Sequence, residues 1–323
     1  MIPKSILVTG GSGFLGKAVT QRLALMEMFD LILPLRTPSK DLPPGVNVIQ
    51  ISDIHGQSDW KEMLKGVTLV VHAAARVHVM REQAPDALAA FRKVNVEGTL
   101  NLARQAADAG VKRFIFISSI KVNGEGTLAG GPYTAEDVPA PSDPYGISKY
   151  EAEQGLKALA MVTGMEVVII RPVLVYGPGV KANFLSMMRW LNKGIPLPFG
   201  AVRNRRSLVF LDNLVDFIVT CLEHPAAANQ TFLVSDGDDV STSDLLRKLA
   251  SCLGKSAYLI PVPVWLMNVG ATMLGKQALA QRLFGSLQVD LGKNQQLLGW
   301  APPVSLDHAL SLTAQHFLDS QRT

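Results

Sequence analysis

Tyr145 and Lys149 are the residues whose types and spacing point most directly to chemistry. They stand four positions apart in Tyr145-Gly-Ile-Ser-Lys149, so on a helix they lie one above the other on the same face. A phenol with a reference pKa near 10 is a poor base at neutral pH, and a nearby ammonium favours the phenolate. Lowering that pKa to about 7 requires about 4 kcal/mol of differential stabilisation. The pair predicts proton transfer, although a surface Tyr and Lys would show the same spacing.

A glycine-rich turn near the N-terminus predicts a dinucleotide site. The apolar run at 5–9 stops at Gly10, and Gly13 and Gly16 follow before a segment with helical spacing. Such glycines let the backbone turn tightly and approach a pyrophosphate, while the helix N-terminus offers free N–H groups. The residues of this turn that we expect to contact the cofactor are Gly10, Gly13, Phe14, Leu15 and Gly16.

The end of the second predicted strand, residues 30–36, bears on the choice of cofactor. Arg36 stands close to the place where an NAD-binding fold usually carries an acidic residue for the ribose 2′-hydroxyl. An arginine there can pair with a 2′-phosphate, so the sequence favours NADPH over NADH; the alternative is that Arg36 points to solvent. Pro34 fits poorly inside a paired strand and leaves the local geometry open.

The third and fourth predicted strands also end in candidate cofactor residues. In an open parallel sheet, ligands bind at the carboxyl ends of the strands. Asp53 could accept a hydrogen bond from the adenine amine or could be a plain turn residue, and small alanines after the fourth strand would leave room for the ribose. The candidates at these two ends are Asp53, Ile54, Ala73, Ala74 and Ala75.

The order of the predicted elements indicates an α/β fold. Strands and helices alternate up to a strand at 167–172, which predicts a Rossmann-type doubly wound parallel sheet with a smaller interleaved C-terminal substrate lobe. A long helix is predicted over 85–109. The expected domains are 1–176 plus 207–236 for NAD(P) binding and 177–206 plus 237–323 for the substrate lobe.

Composition excludes several classes of protein. The chain has 323 residues, 48% of them hydrophobic, and 31 basic against 27 acidic residues give a net charge of +4, too even a balance for a nucleic-acid-binding surface. Cys221 and Cys252 are isolated, so neither a disulfide framework nor a metal site is expected. The N-terminus lacks the pattern of a signal peptide, which predicts a cytoplasmic protein.

The most apolar stretch, residues 258–274, is interrupted by two prolines and an asparagine. These interruptions leave it shorter than a membrane-spanning helix requires, so no integral membrane segment is expected. We predict a buried helix with a wide apolar face, with weak contact to a membrane surface as the alternative.

Over essentially its full length the chain resembles the extended short-chain dehydrogenase/reductase superfamily, in its NAD-dependent epimerase/dehydratase branch. The motifs that carry the resemblance are Thr9-Gly-Gly-Ser-Gly-Phe-Leu-Gly16, Asp53-Ile54, His72-Ala-Ala-Ala75, Asn95-Val-Glu-Gly-Thr99, Ser118-Ser119, Tyr145-Gly-Ile-Ser-Lys149, Arg171-Pro172, Arg206 and Leu298-Gly-Trp-Ala-Pro302.

The resemblance implies specific roles for the site residues. Tyr145 would be the acid/base, Lys149 its charge partner and a donor to the nicotinamide ribose, and Ser119 the hydroxyl that orients the reacting carbon–oxygen bond. Asn95 would support the nicotinamide site. The residues expected at a UDP-sugar substrate are Ser119, Lys121, Asn183 and Arg206. Relatives dimerise through the helix after residue 85 and the Tyr145 helix, so a homodimer is expected.

Departures from the family pattern narrow the activity. Ile120-Lys121 replaces the two acids of the dehydratases, so dehydration is not expected. Asn123 and Leu174 replace a Tyr and an Asn that are usual in 4-epimerases. The segment 118–125, with Arg36, looks most like reductases of UDP-4-keto-6-deoxy-N-acetylhexosamines in surface-polysaccharide synthesis. The leading prediction is therefore a nucleotide-sugar 4-keto reductase using NADPH, and the alternative is a UDP-glucose or UDP-N-acetylglucosamine 4-epimerase with bound NAD.

The sequence gives less support to three further functions. A reductase of neutral ketones would have no diphosphate for Arg206 and Asn183 to bind. A redox-sensing binding protein would have no need of Ser119, Tyr145 and Lys149 together. A hydrolase built on Ser119 and His72 would need glycines around the nucleophile, and these are absent from the sequence.

Overall fold

The structure, a computed structural model, describes residues 4–37, 42–77, 86–128, 131–275 and 277–322. Its strands are β1 (Lys4–Thr9), β2 (Phe29–Leu35), β3 (Asn47–Gln50), β4 (Val67–His72), β5 (Arg113–Ile117), β6 (Glu166–Pro172), β7 (Leu174–Tyr176), β8 (Arg206–Phe210), β9 (Thr231–Val234) and β10 (Asp239–Val240). Its α-helices are α1 (Phe14–Leu25), α2 (Ala87–Arg92), α3 (Thr99–Asp108), α4 (Pro144–Thr163), α5 (Ala182–Asn192), α6 (Leu211–Glu223), α7 (Thr242–Cys252), α8 (Val264–Met273), α9 (Gln277–Phe284), α10 (Gly292–Leu298) and α11 (Leu306–Asp319).

Seven parallel strands form the large sheet, in the order β3-β2-β1-β4-β5-β6-β9. Their near-continuous apolar sequences suit a sheet that is covered by helices on both faces, and separate buried clusters do lie on its two sides. The strand order reverses between β1 and β4, which pair through Thr9 and His72 at their carboxyl ends. Ligands of such sheets bind at this reversal. The predicted doubly wound fold is confirmed.

A smaller three-stranded sheet lies beside the large one, in the order β10-β8-β7. It packs with α5, α7 and α11 around a second core that includes Tyr176, Phe184 and Phe210. The chain leaves the large sheet after β6, builds β7, α5 and β8, and returns at β9. This path interleaves the small lobe with the sheet; the exact domain boundaries stay a prediction.

The helix predicted over 85–109 is interrupted by a π-turn, Lys93–Gly98, between α2 and α3. The extra residue of a π-turn displaces the backbone locally. Asn95 lies within the turn, where it is buried and its side-chain amide bonds the backbone of Arg76. Gly98 is needed because a Cβ there would lie 2.9 Å from a methyl carbon of Ile54.

The prediction of a buried helix at 258–274 is wrong. The stretch does form α8, but no residue of α8 is buried. Prolines at 261 and 263 end the preceding extended segment and leave α8 outside the lobe's core. In the part of the chain that the structure describes, no helix combines the length and the apolarity needed to cross a membrane.

A buried ion pair holds α4 to the large sheet. Glu153 of α4 and Arg171 of β6 are 0% and 1% exposed, and their carboxylate and guanidinium are joined by two hydrogen bonds of 2.9 and 2.5 Å. Ser118 also donates to Glu153, and the Arg171 guanidinium donates to Asn123. The remaining hydrogen-bonding positions of both charges are thus largely satisfied, as burial of an ion pair requires.

Removing one partner of this ion pair should destabilise the protein more than replacing both partners at once. Arg171→Met alone leaves the Glu153 charge buried without its partner, and we expect a loss of about 3 to 5 kcal/mol in the free energy of unfolding. Glu153→Gln combined with Arg171→Met should lose clearly less than the sum of the single losses. Urea unfolding of the two single variants and the double variant measures the coupling. Additive losses would contradict the prediction.

Candidate active site

The carboxyl end of β5 and the first turn of α4 bring the predicted catalytic residues together. Ser119 follows β5 and caps a 3₁₀ turn, Ile120–Val122. Tyr145 lies in the first turn of α4, where its phenol lies close to the Ser119 side chain and its ring meets Phe91 edge-on at 5.9 Å between centroids. The hydroxyl and the phenol therefore face one position where a substrate oxygen can bind.

Desolvation sets the direction in which the pKa of Tyr145 shifts. The side chain is half-buried, and loss of solvent around the phenol raises its pKa to about 12, while the Ser119 hydroxyl acts in the opposite direction without cancelling this rise. In the protein alone the pKa of the phenol thus lies above its ordinary value, and its lowering by Lys149 stays a prediction. A buried phenolate is costly, and desolvation outweighs the neighbouring groups.

Lys149 lies one turn after Tyr145 and is 2% exposed. Its ammonium donates to the carbonyl oxygen of Ile117 at 2.8 Å and lies 4.5 Å from the centre of the Phe116 ring. Burial lowers the pKa of Lys149 to about 7, although the negative charge of Glu153 raises it. Its ammonium is directed at a backbone carbonyl, and loss of solvent opposes its charged form.

His72 is a buried structural residue. One ring nitrogen lies 2.7 Å from the Thr9 hydroxyl and the other 2.9 Å from the Thr99 hydroxyl. Burial, with a smaller effect of the Lys149 charge, lowers the pKa of His72 to about 3, so the ring is neutral. Because both nitrogens are occupied, His72 cannot act as a base toward Ser119, which argues against the hydrolase.

The glycine turn fits a dinucleotide pyrophosphate. Gly10 has φ +75°, a conformation that favours glycine, and a Cβ there would lie 2.7 Å from the backbone nitrogen of Ala74. A Cβ on Gly16 would lie 2.1 Å from the Gly10 carbonyl oxygen. The turn therefore closes tightly against the start of α1, whose first N–H groups have no partners within the helix. Phe14, Leu15 and Gly16 occupy this first turn.

The other cofactor candidates lie at neighbouring strand ends. Arg36 follows β2, and its guanidinium lies 3.9 Å from the carboxylate of Asp53, with both side chains at least half exposed. The Asp53 carboxylate also accepts from the N–H of Ile54. Three alanines continue β4, and two of them bond Thr9. These strand-end residues are Arg36, Asp53, Ile54, Ala73, Ala74 and Ala75.

Asn95 stands behind the site. Its oxygen accepts from the N–H of Arg76, and its nitrogen donates to the Arg76 carbonyl and to the Ser148 hydroxyl. Ser148 precedes Lys149 on α4. Asn95 therefore ties the segment after β4 to the catalytic helix, and its amide is occupied by protein groups.

The structure separates the predicted substrate residues. Lys121 forms ion pairs with Glu125 and Asp143, close to Tyr145. Asn183 is exposed in the first turn of α5, and Arg206 begins β8, where its guanidinium donates to the Gly285 carbonyl at 3.0 Å. Lys121 thus lies in a charge cluster at the start of α4, whereas Asn183 and Arg206 belong to the smaller lobe.

Two acidic residues of this region were missed by the sequence reasoning. Asp143 caps α4 by accepting from the N–H of Gly146 at 2.6 Å, and it also pairs with Lys121. Glu153 lies four residues after Lys149, on the same helix face. The Asp143-Pro144 sequence is a recognisable helix start, and it could have identified the cap.

Comparisons with known proteins give consistent matches. The model of the "NAD dependent epimerase/dehydratase family" matches residues 6–235. A Vibrio cholerae protein described as UDP-glucose 4-epimerase is 52% identical over 321 residues, which are 99% of this chain and 97% of that protein.

Solved structures agree with these sequence matches. A UDP-glucose 4-epimerase of Thermotoga maritima in complex with UDP-glucose is 25% identical, with a TM-score of 0.76 and coverage of 98% of this chain and 99% of that one. A dTDP-glucose 4,6-dehydratase of Streptomyces venezuelae with NAD bound is also 25% identical, with a TM-score of 0.78 and coverage of 98% of each chain.

Removing the Asp143 cap should damage the site as well as the fold. Asp143→Ala deletes the acceptor for the first turn of α4 and should cost about 0.5 to 2 kcal/mol in the free energy of unfolding. Because Tyr145 lies two residues on, turnover should also fall. Asp143→Asn, which keeps a capping oxygen but loses the charge that pairs with Lys121, is the matched control and should retain most of the stability. Thermal unfolding and turnover of both variants provide the test; equal stability losses would rule out the capping role.

Proposed function

Because the chain belongs to the NAD dependent epimerase/dehydratase family, we propose that this nucleotide-sugar enzyme is a UDP-sugar 4-epimerase that uses NAD. The observation that carries the proposal is the placement of Ser119 and Tyr145 close to each other, with Lys149 one helical turn away. The 52% identity to the Vibrio cholerae UDP-glucose 4-epimerase favours epimerisation over the reduction that the sequence analysis put first.

The two residues that argued against an epimerase have structural explanations. Asn123 is buried, accepts from Arg171 and donates to the carbonyl of Thr134. Leu174 begins β7 and is 50% exposed. Asn123 thus supports the Arg171–Glu153 pair, and Leu174 lies at the surface.

In the proposed reaction, Ser119 and Tyr145 bind the C4 oxygen of the sugar. When bound, NAD supplies reversible hydride acceptance at C4. Tyr145 removes the proton of the C4 hydroxyl and later returns it, while Ser119 holds the oxygen in place. The residues beside Ser119 are apolar Ile120 and the ion-paired Lys121, so this segment offers no pair of carboxyl groups for elimination of water.

The phenol must become more acidic when the substrate complex forms. Lowering its pKa from about 12 to about 7 corresponds to about 7 kcal/mol. Lys149 lies one helical turn after Tyr145, and its ammonium donates to the Ile117 carbonyl. Turning this ammonium toward the phenol would supply part of this energy. In the second lobe, Arg206 and Asn183 are proposed to bind the diphosphate, Arg206 through its guanidinium.

The purified protein should interconvert UDP-glucose and UDP-galactose, or their N-acetyl counterparts, without added cofactor and should carry about one equivalent of NAD. Tyr145→Phe should reduce turnover by about 10²- to 10⁴-fold, because the proton carrier is lost. Tyr150→Phe, on the same helix, is the control and should remain active. Oxidation of NADPH by a UDP-4-keto-6-deoxy sugar, with no epimerisation, would favour the reductase instead.

The position of Arg36 supports NAD rather than the NADPH favoured by the sequence. Its guanidinium lies 3.9 Å from the Asp53 carboxylate, so a 2′-phosphate bound by Arg36 would also approach a negative charge. Both side chains are exposed, and this ion pair is weak. We therefore propose that NAD, with a free 2′-hydroxyl, is the better match.

Asp53→Asn should change the ratio of the two cofactor affinities. Removing the carboxylate should strengthen NADP⁺ binding relative to NAD by about tenfold, because the repulsion of the phosphate is relieved. Titration of the cofactor-free protein with each nucleotide measures the ratio. Asp59→Asn, another exposed carboxyl six residues away, should leave the ratio unchanged. An unchanged ratio in Asp53→Asn would show that this carboxylate does not face the 2′ position.

A further inference from the structure

The surface of α8 and the extended segment before it is apolar and exposed. No residue of α8 is buried, and its Trp265, Val269 and Met273 are 68%, 48% and 84% exposed. Tyr258, Ile260 and Leu274 extend this surface at its two ends and are 61%, 52% and 71% exposed. We call these six residues the apolar surface. Contiguous exposed patches of this kind usually mark a contact with another molecule or with a membrane.

Two sequence segments that include the apolar surface and the end of α5 carry charges of one sign only. The segments 177–211 and 249–289 contain nine Lys or Arg residues and no Asp or Glu. Because the whole chain has 31 basic and 27 acidic residues, the remainder has 22 basic and 27 acidic residues and is net negative. The overall charge of +4 therefore hides a strongly cationic region in the smaller lobe.

Backbone hydrogen bonds join the two cationic segments beside the apolar surface. Leu197 donates to the Tyr258 carbonyl at 2.9 Å, and Ile260 donates to the Leu197 carbonyl at 2.8 Å. This arrangement places the end of α5, with exposed Lys193, next to the segment that contains exposed Lys255. Neither lysine forms an ion pair with an acidic residue in the described ranges. Both charges are available to a partner.

We propose that the apolar surface docks on an anionic lipid bilayer, with the surrounding Lys and Arg residues at the lipid phosphates. Helices bind a bilayer interface through buried apolar side chains and are strengthened by basic residues facing anionic lipids. Tryptophan prefers this interface, and Trp265 is the most exposed tryptophan among the residues that the structure describes. The absence of acidic residues from both segments is what contact with lipid phosphates requires.

A second copy of the chain fits this surface less well. In a twofold dimer the same patch faces itself, so Lys193 and Lys255 of each copy would approach like charges. A bilayer offers apolar depth and negative charge together. The docked lobe is also connected to the predicted substrate residues, because Arg206 and Asn204 both donate to the Gly285 carbonyl just after α9. Docking would hold the proposed diphosphate site close to the membrane surface.

Vesicle sedimentation of the full chain tests the proposal. The protein should bind vesicles of phosphatidylcholine with phosphatidylglycerol at least about tenfold better than vesicles of phosphatidylcholine alone, and high salt should reduce binding. Trp265 fluorescence, followed in Trp190→Phe to remove the other exposed tryptophan, should shift to shorter wavelength. Failure to bind, or equal binding to both vesicles, would overturn the proposal.

Surface variants separate docking from unspecific adsorption. Trp265→Glu should lower binding about tenfold, whereas Leu25→Glu on α1, at a position 78% exposed, should bind like the original protein. Lys193→Glu with Lys255→Glu should bind more weakly than Lys61→Glu with Lys112→Glu, which makes the same change of net charge at exposed positions of the large domain. Thermal unfolding confirms that each variant is folded.

The proposal would be contradicted if Trp265→Glu and Leu25→Glu lost the same amount of vesicle binding, or if the two double lysine variants did. Self-association without lipid that Trp265→Glu abolishes would instead identify a contact between copies.

Discussion

Loss of solvent around Tyr145, which is half-buried, and around Lys149, which is buried, is the constraint on which the rest of the site depends. Loss of solvent raises the pKa of the phenol to about 12 and lowers that of the ammonium to about 7, so burial opposes the charged form of both groups. A site of this kind keeps Tyr145 protonated until a substrate complex changes the local charge. The groups that set this balance are few: Ser119 at the phenol, and the Ile117 carbonyl and Glu153 at the ammonium.

Helix α4 carries this constraint because it is held at several points. Asp143 caps its start and Lys121 pairs with the cap. Ser148 is bonded by Asn95 from the π-turn, and Glu153 forms the buried pair with Arg171. These contacts fix the rotation of the helix, so Tyr145 meets Ser119 while Lys149 remains in the interior. Preorganisation of this kind lowers the reorganisation that the reaction requires.

The smaller lobe combines two roles that its sequence does not separate. Basic residues without acidic neighbours suit both a diphosphate and a lipid phosphate, and only their positions distinguish the two. Arg206 begins β8 next to the segment after α9, whereas Lys193 and Lys255 point to solvent beside the apolar surface. In the two proposals, Arg206 therefore serves the diphosphate, whereas Lys193 and Lys255 serve the contact with lipid.

The sequence by itself predicted the doubly wound sheet, the glycine turn and the proposed catalytic residues Ser119, Tyr145 and Lys149, because each depends on local periodicity or on short motifs. It also predicted that α8 would be buried, since an apolar helix is usually buried; exposure depends on what packs against it in space. Only the tertiary structure shows how loss of solvent shifts the pKa values of Tyr145 and Lys149, that Arg36 pairs with Asp53, and that His72, Asn95 and Asn123 have structural roles. Those properties follow from distances between residues far apart in the chain and from the loss of solvent around them, and residue spacing encodes neither.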